Sequence, residues 1–186
     1  MARLPYVDKD ELPPEQRHLP LSASNITRML SNSPNIAHLS GRIALYIRDE
    51  MHLDPRLREL AIIQVGYSTG CAYEYVQHVR IGLESGLSEA DIRAVAKETA
   101  GRPTSLEPLA RTVLQAAREM ILGPVSEATF EALRKELDSE EITNLLFTIG
   151  NYFGVSRVLA SLQVDLEPAV VPYLERFPLR RPPQSQ

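Results

Sequence analysis

Apolar residues recur along the central part of the chain at intervals of three and four, the spacing of one face of an α-helix. One such series is Ile36, Leu39, Ile43 and Ile47, and another is Ile142, Leu145, Leu146, Ile149 and Phe153. No stretch of useful length alternates apolar and polar residues as a strand of a half-buried sheet does. The pattern therefore predicts an all-α fold, a helical bundle of one domain.

The prolines divide this predicted bundle from the two ends of the chain. Of 14 prolines, four lie in residues 1–20 and five from Pro168 onward. Because proline disrupts the interior of a helix, we expect a Pro-rich, irregular N-terminal arm over residues 1–20. A helical domain should follow over residues 21–167, with a C-terminal tail over residues 168–186.

Two consecutive helices are predicted in the middle of the domain. Asp54 and Pro55 indicate the beginning of the first, since aspartate caps helices and proline suits the first helical position. Residues 60–65 make this helix apolar almost all round, which predicts a central, buried position. Gly70 should end it, and a second helix is expected over residues 71–85.

Composition and charge narrow the class of protein. Hydrophobic residues make up 44% and charged residues 24% of the 186 residues, as in an ordinary globular domain. The net charge of −4 gives no basic footprint for nucleic acid or an anionic membrane. Apolar runs stay short of the roughly 20 residues that a membrane helix needs, and the N-terminus lacks a signal-like apolar region. We therefore expect a cytoplasmic protein.

The predicted second helix carries the candidate chemistry. At about 100° per residue, Cys71, Glu74 and His78 fall within a stripe roughly 60° wide, and Tyr75 lies beside it. One helix face would therefore present a thiol, a carboxylate, an imidazole and a phenol. Glu59, on the first helix, shares its face with apolar residues and would have a raised pKa unless a partner such as an arginine cancelled the effect.

Each group has a plausible chemical role and a plainer structural one. In the first turn of a helix, Cys71 would feel the positive dipole end, which favours thiolate. His78 could serve as a general base, with Glu74 orienting it or exchanging protons with a substrate. Alternatively, Cys71 is a small buried hydrophobic residue, Glu74 and His78 form a surface pair, and Glu59 pairs across a helix interface.

The same residues carry a resemblance to a known family. Residues 58–60 (Arg-Glu-Leu), residues 70–75 (Gly-Cys-Ala-Tyr-Glu-Tyr), His78 and residues 86–88 (Gly-Leu-Ser) resemble the signature of the carboxymuconolactone decarboxylase and alkylhydroperoxidase D superfamily. The resemblance implies an all-α fold, assembly into trimers or hexamers and a pocket near the subunit contacts.

The two branches of that superfamily imply different chemistry. In the alkylhydroperoxidase D branch, a glutamate is followed by Cys-x-x-Cys and a histidine, and Glu59, Cys71 and His78 match this pattern. Glu74 stands where that branch has its second cysteine, so a peroxidase here would need an external thiol to restore Cys71. The decarboxylase branch relies on proton transfer, which Glu74 and His78 suit better.

Three functions follow as expectations. The first is a cofactor-independent enzyme that acts by acid–base chemistry on a small organic acid, lactone or carbonyl compound. In it, His78 is the principal acid or base, Glu59 and Glu74 relay protons, Cys71 assists and Tyr75 contacts the substrate. The second is a one-cysteine hydroperoxidase, and the third is a non-catalytic helical oligomer. The sequence shows no nucleotide, flavin or metal motif, so no cofactor and no metal are expected; the expected partners are a small-molecule substrate and further copies of the chain.

Overall fold

The computed structural model describes residues 1–179. All regular secondary structure in that range is helical, and no strand occurs there. The prediction of an all-α fold is confirmed. The helices are α1 (Asn25–Leu30), α2 (Pro34–Leu45), α3 (Pro55–Thr69), α4 (Ala72–Glu84), α5 (Glu89–Thr99), α6 (Pro108–Leu122), α7 (Glu127–Arg134), α8 (Ser139–Leu162) and α9 (Val171–Arg176), and a single π-helical turn (Tyr46–Glu50) extends α2.

Helix α3 is the centre of the bundle and packs against α4, α5, α6 and α8. It begins where the sequence predicts, because the Asp54 side chain accepts hydrogen bonds from the backbone N–H groups of Arg56 and Leu57. Every residue from 57 to 67 is buried. The helix ends at Gly70, whose φ of 68° is a left-handed conformation that glycine adopts without strain.

Helix α4 follows α3 directly and lies very close to it. Cys71 is the N-cap residue of α4. The two backbones meet at Gly66, where an added Cβ would lie 2.7 Å from the backbone nitrogen of Tyr75. This close approach places the side chains of α3 and α4 within hydrogen-bonding distance of one another, which is the basis of the site described below.

Helix α8 is 24 residues long, and an 18-residue window has a mean hydropathy of 1.3, so by length and composition alone it could cross a membrane. The sequence expectation concerned uninterrupted apolar runs, which are short in α8 because glycine and polar residues interrupt them without breaking the helix. This feature is weak evidence for a membrane, since core helices pass the same test. In this fold, α8 packs against α3, α4, α6 and α7.

The two ends of the chain differ in structure. The N-terminal arm contains only short 3₁₀ turns, at Lys9–Glu11 and Pro14–Gln16. The C-terminal segment, predicted as a tail, contains α9, which packs against α4. The proline of α9 lies in its first turn, where no backbone donor is needed. Residues 180–186 of the predicted tail lie outside the described residues.

Helix α2 carries apolar residues at helical spacing that are not buried. Ile36, Leu39 and Ile43 recur at helical spacing, but they are 52%, 57% and 37% exposed. Only Ala37 and Ile47 of this segment are buried. Helix α2 and its π-helical turn therefore present an apolar outer face.

Candidate active site

The site is built around His78, whose imidazole lies between two carboxylates. Its Nδ1 is 2.7 Å from Oε2 of Glu59 on α3, and its Nε2 is 3.0 Å from Oε1 of Glu74, one turn earlier on α4. The side chains of all three residues are less than 10% exposed. Because carboxylates only accept hydrogen bonds when ionised, this arrangement fits an imidazole that donates from both nitrogens.

Arg58 completes the chain of charges on the side of Glu59. Its Nε donates to Oε1 of Glu59 at 3.0 Å. Its guanidinium also donates to the backbone carbonyls of Ile47 and Arg48, which belong to the π-helical turn. π-Helical turns are frequent at functional sites. Here the turn supplies two carbonyl acceptors that hold the buried arginine in place.

The buried charges shift the pKa values of the two partners in opposite directions. Burial alone would lower the pKa of His78, but the charge and hydrogen bond of Glu59, with a further hydrogen bond to Glu74, raise it to about 9. Burial alone would raise the pKa of Glu59, but His78 and Arg58 bring it below its ordinary value. Glu59 therefore has the buried partners that cancel its expected rise, and His78 is an imidazolium at neutral pH.

These residues open onto a cavity of about 380 Å³ between α2, α4 and α8. Glu59, Glu74 and His78 all line it, and its size is that of a small-molecule pocket. The ring of Tyr152, from α8, also lines the cavity and meets the His78 ring edge-on, with centroids 4.8 Å apart. The arrangement places a protonated imidazole and a carboxylate beside a space large enough for a small organic molecule.

A second set of hydrogen bonds stabilises one wall of this cavity. The carboxylate of Glu167 accepts from the hydroxyl of Tyr73 at 2.6 Å and from the amide of Gln77 at 2.7 Å. It also accepts from the backbone N–H of Asn25, at the start of α1. Tyr73 and Gln77 line the cavity, and so do residues of α1. Glu167 therefore stabilises both this wall of the cavity and the position of α1.

Cys71 lies in a different environment from the other predicted residues. It is 4% exposed, packs with Tyr73 and Leu159, and is not among the residues that line the cavity. Both nitrogens of His78 face carboxylates, so neither is turned to the sulfur. Burial raises the pKa of the thiol, although backbone N–H groups of α4 and the Ser156 hydroxyl oppose the rise. The expectation of a favoured thiolate is therefore wrong, because loss of hydration outweighs the helix dipole.

Tyr75 was predicted to contact the substrate, but the structure places it elsewhere. Its ring packs against Tyr67 of α3, with centroids 6.0 Å apart, and it does not line the cavity. The aromatic residues at the cavity are Tyr73 and Tyr152. Tyr152 was missed, although its position three residues after Ile149 puts it on the apolar stripe of α8 that faces α3.

Within residues 1–179, no group of three or more His, Cys, Asp and Glu side chains has a geometry that could hold a metal ion. The carboxylates around His78 are instead used in hydrogen bonds to the imidazole and to Arg58.

Comparison with known families and structures places the chain among related folds. The model of the carboxymuconolactone decarboxylase family matches residues 34–119, which include α3, α4 and the whole Glu59–His78–Glu74 chain. A comparison with curated proteins gives no match.

Several solved structures share the fold. An alkylhydroperoxidase core, a peroxidase-related protein from Ralstonia eutropha JMP134, is 18% identical with a TM-score of 0.77, over 93% of this chain and 95% of that one. A candidate antioxidant-defence protein from Agrobacterium tumefaciens is 20% identical with a TM-score of 0.67, over 74% and 94%. A debrominase with a cysteine replaced by alanine, bound to 2,3,4-tribromopyrrole, is 14% identical with a TM-score of 0.77, over 95% and 100%. The family match over residues 34–119 and the fold shared with these neighbours support a relationship to the superfamily of carboxymuconolactone decarboxylase-like and alkylhydroperoxidase D-like proteins.

Proposed function

We propose that the protein is an enzyme that transfers protons to and from a small organic acid, lactone or carbonyl compound without a cofactor. The observation that carries the proposal is the buried chain of Glu59, His78 and Glu74, which is anchored by Arg58 and lines the cavity. The imidazole holds a proton at neutral pH. Glu74, hydrogen-bonded to that imidazole, is the group that exchanges a proton with the substrate.

The residues have distinct tasks in this reaction. Glu74 takes a proton from the carbon beside a carbonyl group, or returns one to it, as a general base or acid. Nε2 of His78 stabilises the ionised Glu74 carboxylate and passes a proton to it when Glu74 has given its own to the substrate. Glu59, which is held by Arg58, keeps the imidazole charged and oriented. Tyr152 packs on the imidazole edge and helps to exclude water from it.

Decarboxylation is one form of the same chemistry. In a substrate whose carboxylate lies next to a carbonyl-activated carbon, the carbon–carbon bond breaks, carbon dioxide leaves and the electron pair stays on that carbon as an enolate. The enolate carbon then takes a proton through Glu74. His78 supplies that proton and regains one from water, so the site returns to its starting state.

Exchange of substrate hydrogen for deuterium tests the proposal before a substrate is known. A panel of ketones, lactones and β-keto acids is incubated with the protein in heavy water, and proton NMR follows exchange at carbon and loss of carboxylate. We expect activity with wild type and Cys71→Ser, and at least about a hundredfold loss in Glu74→Gln and His78→Gln. Activity that survives Glu74→Gln would overturn the proposal.

A second candidate is a one-cysteine hydroperoxidase. Its support is the peroxidase-related fold of the neighbours and the backbone N–H groups of Tyr73 and Glu74 near the Cys71 sulfur. The thiol would be oxidised to a sulfenic acid as the hydroperoxide becomes an alcohol, and two external thiols would reduce it, releasing a disulfide and water. Loss of a hydroperoxide that depends on added thiol and vanishes in Cys71→Ser would favour this function over proton transfer.

We also propose that further copies of the chain cover the apolar outer face of α2 and α8. Leu39 is 57% and Phe147 is 51% exposed, on α2 and α8 respectively, and large exposed apolar side chains mark association surfaces when they cluster. Sedimentation at micromolar concentration should show an oligomer, and Leu39→Glu should shift it towards monomer. Wild type that sediments only as a monomer would contradict this assembly.

A further inference from the structure

A second cavity of about 400 Å³ adjoins the candidate active site and differs from it in chemistry. It lies between α1, α2 and α8, and its only lining side chains with polar groups are Ser40 and Asn151. The remaining lining residues are aliphatic, methionine or glycine. Among residues 1–179, no charged side chain lines it, whereas the first cavity contains the Glu59–His78–Glu74 chain.

Glycine makes the space on the α8 side. Gly150 and Gly154 are four residues apart, so they lie on the same face of α8, and both line the second cavity. A Cβ added at Gly154 would meet no atom within 4 Å. No neighbouring atom therefore requires a glycine at position 154. The effect of the missing side chain is to leave space in the second cavity.

The two cavities are neighbours and share part of their walls. Five residues line both of them, on α1, α2 and α8: Ile26, Leu30, Ser40, Asn151 and Val155. Three of the five are aliphatic. The boundary between the Glu74 end of the first cavity and the Gly154 end of the second is therefore largely apolar.

We propose that the substrate carries an unbranched aliphatic chain that extends from the proton-transfer site into the second cavity. This inference rests on the proposed function for the position of the reactive head. The head is the carbonyl-bearing part of the substrate, which lies at Glu74 and His78 in the first cavity. The tail is apolar, because the second cavity has no charged lining group. Each buried methylene should tighten binding roughly threefold to fourfold.

Methyl ketones with ethyl, butyl, hexyl and octyl chains are the probes, with binding to the full chain measured by calorimetry. In wild type, affinity should rise with each added pair of methylenes. Gly154→Leu fills the second cavity and leaves the His78 site intact, so it should bind the ethyl ketone as wild type does and lose the gain for the longer chains. Gly154→Ala, the smaller matched change, should lose only part of the gain.

The outcomes separate this inference from the proposed function. Chain-length dependence that Gly154→Leu removes supports the aliphatic site, whether or not deuterium exchange occurs. Deuterium exchange without any chain-length dependence, or a dependence that Gly154→Leu leaves unchanged, overturns the aliphatic site and leaves proton transfer standing. Absence of ketone binding also overturns it. A shift of Gly154→Leu to a smaller oligomer, with unchanged ketone binding, would show that a second copy of the chain occupies the groove instead.

Discussion

Nδ1 of His78 lies 2.7 Å from Oε2 of Glu59, although the two residues belong to different helices. The close approach of α3 and α4 at Gly66 brings them together. With Glu74 at the other nitrogen, the imidazole has no unoccupied ring nitrogen. A histidine fixed in this way has a defined protonation state, and this leads to specific expectations for stability and reactivity.

The stability of the fold should fall as pH rises from about 6.5 towards 9. The folded pKa of His78 is raised from 6.5 to about 9, so the native state holds a proton that the unfolded state releases. The contribution is fully present below the unfolded pKa and is lost as pH passes through the folded value. Urea unfolding across this window should show a loss on the order of 1–3 kcal/mol. His78→Gln should flatten the profile, and a wild-type profile that is already flat would contradict the assignment.

Removing charge from Glu59 should destabilise the protein far more than removing it from Glu74. Glu59→Gln leaves the buried guanidinium of Arg58 without its carboxylate, which typically costs about 3–5 kcal/mol. Glu74→Gln keeps an oxygen that accepts from His78 and should cost on the order of 1 kcal/mol. The matched control is Glu84→Gln, which breaks an exposed pair with Arg80 and should cost less than about 1 kcal/mol. Equal losses for Glu59 and Glu74 in chemical unfolding would contradict the buried arrangement.

The Cys71 thiol should react slowly in the folded protein. Burial raises the pKa of this thiol and shields the sulfur, and the thiolate is the reactive form. Its rate with an aromatic disulfide at pH 7.5 should be at least about tenfold below that of free cysteine. The same protein in denaturant serves as the control and should react at the rate of the free thiol. A native rate equal to that of free cysteine would favour the hydroperoxidase function.

Two glycines on different helices should respond in opposite ways to alanine. At Gly66, a Cβ would lie 2.7 Å from the backbone of Tyr75, so Gly66→Ala must separate α3 from α4 and should cost about 1–3 kcal/mol. At Gly154 a Cβ meets nothing within 4 Å, and alanine should stabilise α8 by up to about 1 kcal/mol. Thermal unfolding of both variants measures the difference. A harmless Gly66→Ala would mean that the two helices are not in close contact.

The local signals in the sequence were sufficient for the central helices. Asp54, Pro55 and Gly70 fix the ends of α3 through capping and backbone conformation, and a capping box of Ser88 and Asp91 begins α5. These signals act within a few residues, so a single sequence displays them. The predicted series from Ile36 to Ile47 also lies on one helical segment, α2 with its π-helical turn.

The site was only partly predictable, because its decisive contacts join distant parts of the chain. Helical spacing correctly placed Glu74 and His78 on one face of α4, but it could not show that Glu59 reaches His78. The same spacing suggested Tyr75, whereas packing against α3 turns that ring into the core and leaves Tyr152 at the imidazole. The thiol pKa was predicted from the helix dipole alone; the opposing effect of burial depends on neighbours that only the fold supplies.

The protonation state of His78 in the folded protein tests the proposed function most directly. Nitrogen-15 NMR of the imidazoles, with His78 assigned from the His78→Gln variant, follows its titration from pH 6 to pH 10. We expect an imidazolium with both nitrogens protonated at pH 7 and a pKa of about 9 for His78. A neutral imidazole at pH 7 with an ordinary pKa near 6.5 would contradict the buried proton chain on which the proposed function depends.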